Sequence, residues 1–146
     1  MQTITVINGP NLNLIGSREK DIYGSASLES ILSDLSEKFK GRCQLEFIQS
    51  NGEGILVDAI QQLMGQAAGI VINAGAYTHT SIAIRDALLA VEIPFVEVHL
   101  SNVYAREEFR QRSLLSDRAL GVVCGFGAAG YWMAVEGLLQ EISGHS

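Results

Sequence analysis

Apolar and polar positions follow two periods along this chain, and the periods take turns. Residues 3–8 (TITVIN) and 43–49 (CQLEFIQ) read as strands. Between them Leu28, Ile31, Leu32, Leu35 and Phe39 recur at helical spacing, with Ser27 as N-cap and Gly41 as the stop. Residues 55–64 predict a second amphipathic helix, with Ile55, Leu56, Ala59, Ile60 and Leu63 on its buried side. Residues 69–73 (GIVIN) have the unbroken apolar run of a strand covered on both faces. Residues 82–91 predict a third helix, ended by Pro94; a fourth strand opens at Phe95, a fifth spans 119–125, and a last helix covers 128–142.

Strands separated by helices imply a parallel sheet with right-handed crossovers. The expected class is therefore α/β: a flavodoxin-like three-layer sandwich, with a five-stranded parallel sheet of order 2-1-3-4-5 and helices on both faces. A length of 146 residues predicts one domain, 1–146, with no repeat or linker. Sheets of this kind bind ligands beyond the carboxyl ends of their strands, which directs attention to residues 8–24, 49–53, 73–81, 99–110 and 125–130. The first of these is far longer than the ~2–6 residues usual for such a connection. It reads as a lid with Gly16 and Gly24 as hinges, carrying Arg18 and Tyr23 inward.

The fourth strand carries the least ordinary residues. In FVEVHLSN, Val96, Val98 and Leu100 alternate with Glu97 and His99, so the acid and the imidazole share one strand face. Unpaired in a covered sheet, they would cost several kcal/mol; they are expected to pair. Ser101 and Asn102 look like a cap for a short helix on which Arg106 and Arg110, four apart, share a face. An acid, a histidine, a helix start and two arginines are the parts of an anion-binding, proton-moving site.

Composition narrows the partners. No apolar run approaches ~20 residues, and residues 1–11 read as a strand without a basic leader, so no membrane partner and a cytoplasmic location are expected. A net charge of −6 argues against nucleic acid. Seven of the ten cationic residues are arginines, which keeps an anionic small molecule as substrate. Cys43 and Cys124 fall in strands and lack metal-ligand spacing, so both read as reduced core thiols. His79, His99 and His145 have no ligand-like spacing either, and no metal is expected.

Other motifs are weaker. GFGAAG at 125–130 matches a dinucleotide fingerprint but has no strand after it and no acid about twenty residues on; close packing of the last helix on the sheet explains its glycines. Ser81, His79 and Asp86 lack a nucleophile elbow. His79, among Thr78, Thr80 and Ser81 at a helix start, reads as ligand-facing. Arg85 and Asp86 fit either a solvated pair or a site.

Taken together, NGPNLN, REKDIYG, FIQSNGEG, NAGAYTHTSIAIRDAL, VEVHLSN with AREEFR, and GYWMA resemble, in order and spacing, the type II 3-dehydroquinate dehydratases. The resemblance implies a cofactor-free anti elimination of water from 3-dehydroquinate, through an enolate, to 3-dehydroshikimate, in aromatic biosynthesis or quinate breakdown. It implies a dodecamer built as a tetramer of trimers. It implies Tyr23 as base with Arg18 lowering its pKa, and Asn11 holding the water that faces the enolate oxygen. His99 would be the acid, Glu97 its orienting partner and Arg106 the second arginine near the tyrosine. Substrate contacts would come from Asn73, His79, Asp86, Leu100, Ser101 and Arg110. Lys20, Gln62, Tyr104 and Gln111 depart from residues common in that family, and none of them holds a chemical role.

The implied base asks for work. Using a phenol of pKa ~10 near neutrality requires roughly 3–4 kcal/mol, and one guanidinium at ~4 Å supplies roughly 4 before burial takes some back. Two cations, Arg18 and Arg106, suffice. The competing class is an FMN-binding or receiver-type signalling module on the same fold. A receiver needs acids at the ends of the first and third strands, where Asn8 and Asn73 stand.

Overall fold

β3 (Gly69–Asn73) is the central strand of a parallel sheet in which β1 (Thr3–Asn8) and β2 (Gln44–Gln49) lie to one side and β4 (Phe95–His99) and β5 (Gly121–Cys124) to the other. The order is β2-β1-β3-β4-β5, as the alternation of patterns predicts. This computed structural model describes residues 1–17 and 26–144. The lid expected at residues 8–24 is described only as far as Ser17, and Arg18, Lys20, Tyr23 and Gly24 lie outside the described residues, as does His145.

The pleat divides the core in two. Ile4, Val6, Val71, Val96 and Val98 face α1 (Leu28–Lys38) and α4 (Ala129–Gly144), meeting Leu28, Ile31, Leu35, Val135 and Leu138. Ile7, Ile70, Ile72 and Phe95 face α2 (Glu53–Gln62) and α3 (Ile82–Val91), meeting Leu56, Ile60, Ile84 and Leu88. Ser27 caps α1 by accepting from Ser30 N. In the same way Ser81 caps α3, accepting from Ile84 N.

Several expected bounds move. α2 begins at Glu53, two residues early, where an acid suits the positive end of the helix. Its buried stripe is Leu56, Ile60 and Leu63, and Ile55, expected inside, is exposed because it sits about 100° round the helix from that stripe. The short helix expected to carry Arg106 and Arg110 is two separate 3-10 turns, Val103–Ala105 and Glu108–Arg110. Asn102, not Ser101, caps the first turn through Tyr104 N, and Arg106 is extended at φ −109°, ψ −166°. Two such turns are too short to repay the cost of nucleating an α-helix.

The glycines of residues 125–130 do more than pack a helix. Gly125 and Gly127 have φ of +93° and +59°, a left-handed conformation that favours glycine, and their N–H groups bond His99 O and Leu100 O. Only Gly130 lies against the sheet, where an added Cβ would find Val123 and Val98 at ordinary contact distance. Among the described residues no helix is long and apolar enough to cross a membrane.

Candidate active site

At the carboxyl end of the sheet, a cleft of about 140 Å³ opens over β1, β3 and β4. Its walls include Asn11, Asn73, His79, His99, Leu100, Ser101, Arg106 and Arg110. Eight of the residues singled out from the sequence thus meet at one place. The cleft forms because β1 and β3 end side by side: Gly9 N bonds Asn73 O at 2.8 Å, and a Cβ on Gly9 would stand 2.2 Å from Ala74 O. Only glycine allows that approach.

Asn11 has a left-handed backbone at φ +69°, and its N–H is held by Asn51 Oδ1 at 3.0 Å. Asn51 in turn accepts from Gln49 Nε2 on its side chain and from Tyr77 Oη on its carbonyl. Residues leaving β2 and β3 therefore brace the loop that leaves β1.

Glu97 lies directly behind His99. Its Oε2 is 2.5 Å from His99 Nε2, and the carboxylate is fully buried while the imidazole is nearly so. This bond leaves Nδ1 as the ring nitrogen that Glu97 does not engage. Three hydroxyls also reach the carboxylate: Thr78 at 2.9 Å to Oε2, and Ser113 and Ser116 at 3.0 and 2.7 Å to Oε1. Burial alone would push the Glu97 carboxyl up; the bond to His99, its charge, and the Ser116 and Ser113 hydroxyls outweigh burial and hold it below its ordinary value. The His79 ring stacks toward His99 at 6.5 Å between centroids, anchored by Nδ1 on Arg112 O at 2.8 Å.

On the opposite face of the sheet Asn73 is fixed by a buried chain. Its Nδ2 donates to Tyr131 Oη at 3.1 Å, Tyr131 donates to Asn8 Oδ1 at 2.5 Å, and Asn73 Oδ1 accepts from Gly75 N. Burial drives the Tyr131 phenol well above its ordinary value, so it serves as a neutral clip.

The cleft is cationic at its outer edge. Arg106 Nη1 reaches Ser101 Oγ at 3.4 Å, and Arg110 Nε holds Glu107 Oε1 at 3.0 Å. Glu107 is the carboxylate both guanidiniums approach, with Arg106 Nε at 3.9 Å. The balance there suits an anionic group on a ligand.

Asp86 is the exception among the expected contacts. The buried stripe of α3 is Ile84, Ala87, Leu88 and Val91, which turns Asp86 outward, exposed and away from the cleft. Arg85 forms its ion pair with Asp117, at 2.5 and 3.1 Å, and not with Asp86. Ser113, Ser116 and Tyr131 are the residues that sequence reasoning did not single out by role; they join the site only through contacts 16 to 123 residues apart. Among the described residues no cluster of three or more His, Cys, Asp and Glu side chains could hold a metal ion. Cys43 and Cys124 are free thiols.

Comparison with known proteins gives one answer. The family model for class II dehydroquinase matches residues 2–139. A 3-dehydroquinate dehydratase of Prochlorococcus marinus (strain MIT 9211) is 60% identical over 144 residues, 98% of this chain and 97% of that protein. One from Synechococcus sp. (strain WH7803) is 58% identical over 142 residues, covering 97% of each. The crystal structure of type II dehydroquinase from Butyrivibrio crossotus DSM 2876 superposes with a TM-score of 0.91 at 48% identity, over 94% of this chain and 97% of that one. Neither an FMN carrier nor a receiver module is supported by these likenesses. With its sheet order, its cleft and a match along nearly its whole length, the chain belongs to the class II dehydroquinase family.

Proposed function

We propose that this chain is a 3-dehydroquinate dehydratase, a hydro-lyase that removes water from 3-dehydroquinate to give 3-dehydroshikimate. The observation that carries the reading is the Glu97–His99 pair set in a cleft rimmed by Arg106 and Arg110, in a chain matched by the family model over residues 2–139. The ketone of the substrate acidifies the neighbouring C–H, so the chemistry calls for a base, an acid and a place for the enolate charge, and for no cofactor.

Tyr23 is the proposed base, acting as phenolate beside Arg18 and Arg106. It takes the proton next to the ketone, and the electron pair moves onto the ketone oxygen as an enolate. Asn11 holds a water against that oxygen. Return of the pair expels the hydroxyl from the adjacent carbon, and His99 gives it a proton, leaving a conjugated enone and water. Glu97 favours the imidazolium that does this. Asn73, His79, Arg110 and the backbone of Leu100 and Ser101 bind the substrate. Asp86, outside its own cleft, would reach substrate only from a neighbouring subunit, which ties its role to assembly as a dodecamer, a tetramer of trimers. One catalytic domain, a cytoplasmic location and service in aromatic biosynthesis or quinate catabolism complete the reading.

The test is direct. Purified protein mixed with 3-dehydroquinate, without added metal, nucleotide or flavin, should raise the ultraviolet absorbance of a conjugated enone. A flat trace at high enzyme concentration removes the assignment.

A further inference from the structure

Glu97 accepts four hydrogen bonds, and only one is from the imidazole. Ser116 Oγ at 2.7 Å and Ser113 Oγ at 3.0 Å share Oε1, while Thr78 Oγ1 at 2.9 Å shares Oε2 with His99. A buried carboxylate needs partners, but nothing requires that they be hydroxyls from a segment sixteen and nineteen residues on. That segment is built to deliver them. Ser113 Oγ accepts from both Leu115 N at 2.9 Å and Ser116 N at 3.1 Å, which uses its lone pairs and turns its proton toward Glu97. Arg85 on α3 clamps the same segment, donating to Leu114 O at 2.6 Å and to Asp117, and Leu114 N bonds Thr78 O at 2.8 Å.

We infer that Ser116 and Ser113 are positioning residues for proton delivery, setting how tightly Glu97 holds the proton on His99. The inference rests on the reading of His99 as the acid. Each hydroxyl donated to Oε1 draws charge from the carboxylate and so weakens its pull on the imidazolium proton. A bare carboxylate in this buried place would grip that proton too hard, or take it, and a proton held too tightly is a poor one to give away. The hydroxyls keep the carboxylate ionised while tempering it, which agrees with their lowering effect on the Glu97 carboxyl.

Other charged and titratable groups face the pair. His79 stands on the β3 side, and Arg106 and Arg110 lie across the cleft. Cys124 is the register partner of His99 on β5, Tyr131 packs on the far face of the sheet, and Arg85 on α3 pairs with Asp117 on the clamped segment. All are common to the variants below, so a difference between variants reads the hydroxyl.

Ser116 gives the cleaner test, since Ser113 also holds the turn. Full-length wild type, Ser116→Ala and Ser116→Thr are compared by kcat against pH with 3-dehydroquinate, and by the titration of His99 in histidine-selective 15N NMR. With Ser116→Ala the alkaline limb of kcat should move up by about half to one pH unit, the plateau should fall about threefold or more, and the NMR midpoint of His99 should rise with the limb. Ser116→Thr keeps the hydroxyl and should return both toward wild type. Should Ser116→Ala not fold, Ser116→Cys, a much weaker donor, takes its place with the same expected direction. An unmoved or lowered limb, or equal displacement by alanine and threonine, overturns the inference. If wild type itself proves inert, the proposed reaction fails separately, and an unmoved His99 midpoint then overturns the inference on its own.

Discussion

His99 Nε2 lies 2.5 Å from Glu97 Oε2, two residues away on the same strand face, and β4 buries the carboxylate completely. A strand spacing of two is what makes this possible: one residue more or less would send the partner to the α1 and α4 side, among Val96 and Val98. The pair is therefore written into the register of the strand.

Removing either member should damage turnover in different ways. His99→Ala should lower kcat by about 10² or more, the range for a lost acid. Glu97→Gln keeps the shape but not the charge, so the imidazolium loses its proton more easily and the alkaline limb of the kcat profile should move down, opposite to Ser116→Ala. Steady-state rates between pH 5 and 10 check both.

Tyr131→Phe deletes one hydroxyl and orphans two amides, Asn73 Nδ2 and Asn8 Oδ1. Unfolding stability should fall by about 1–3 kcal/mol, the cost of buried unmatched polar groups. KM should rise more than kcat falls, because Asn73 is proposed to bind substrate and not to react. Urea denaturation and initial-rate kinetics supply the two numbers.

Tyr23→Phe should cost about 10² or more in kcat. Arg18→Gln should cost more than Arg106→Gln, since Arg18 is the proposed nearer cation to the phenolate. Side-by-side kcat values decide it, and the reverse order would exchange the two arginines' roles.

Away from the cleft, Arg42 grips Glu136 with bonds of 2.8 and 2.7 Å, tying the start of β2 to α4. The Arg42 bond, helped by Gln140, holds the Glu136 carboxyl down at about 2. A lowered folded-state value means the stabilisation is complete above the unfolded carboxyl range near ~4.3 and disappears as pH falls through about 2. Both side chains are at least a third exposed, so solvent screening keeps the effect small. Glu136→Gln should lower Tm by about 1–3 °C at pH 7, with the gap closing as pH approaches the folded value. Thermal melts across that range test the sign.

What the sequence reveals here depends on how local the cause is. Ser27 as cap of α1, and β3 and α3 with their full bounds, follow from short patterns: a serine before a periodic run, GIVIN, and a stripe closed by Pro94. The Glu97–His99 face follows from strand parity alone. The two 3-10 turns at residues 103–110 mimic a helix because two arginines four apart satisfy helical spacing whether or not a helix forms. Ser116 and Ser113 left no local sign, and Tyr131 lies in the GYWMA motif without any local hint of its role. A serine in SLLSD has the composition of any loop, and its value comes from the strand that folds back against it. Asp86 is a related case: motif position names the residue, while the α3 stripe turns it out of its own chain's cleft.

The most direct test of the proposed chemistry uses 3-dehydroquinate carrying deuterium at one chosen face of the carbon between the ketone and the departing hydroxyl. A base and an acid on opposite sides of the ring should release the label when it lies trans to that hydroxyl, giving unlabelled enone by mass spectrometry. Enone that retains the trans deuterium, or no enone at all, would contradict the proposed placement of Tyr23 and His99.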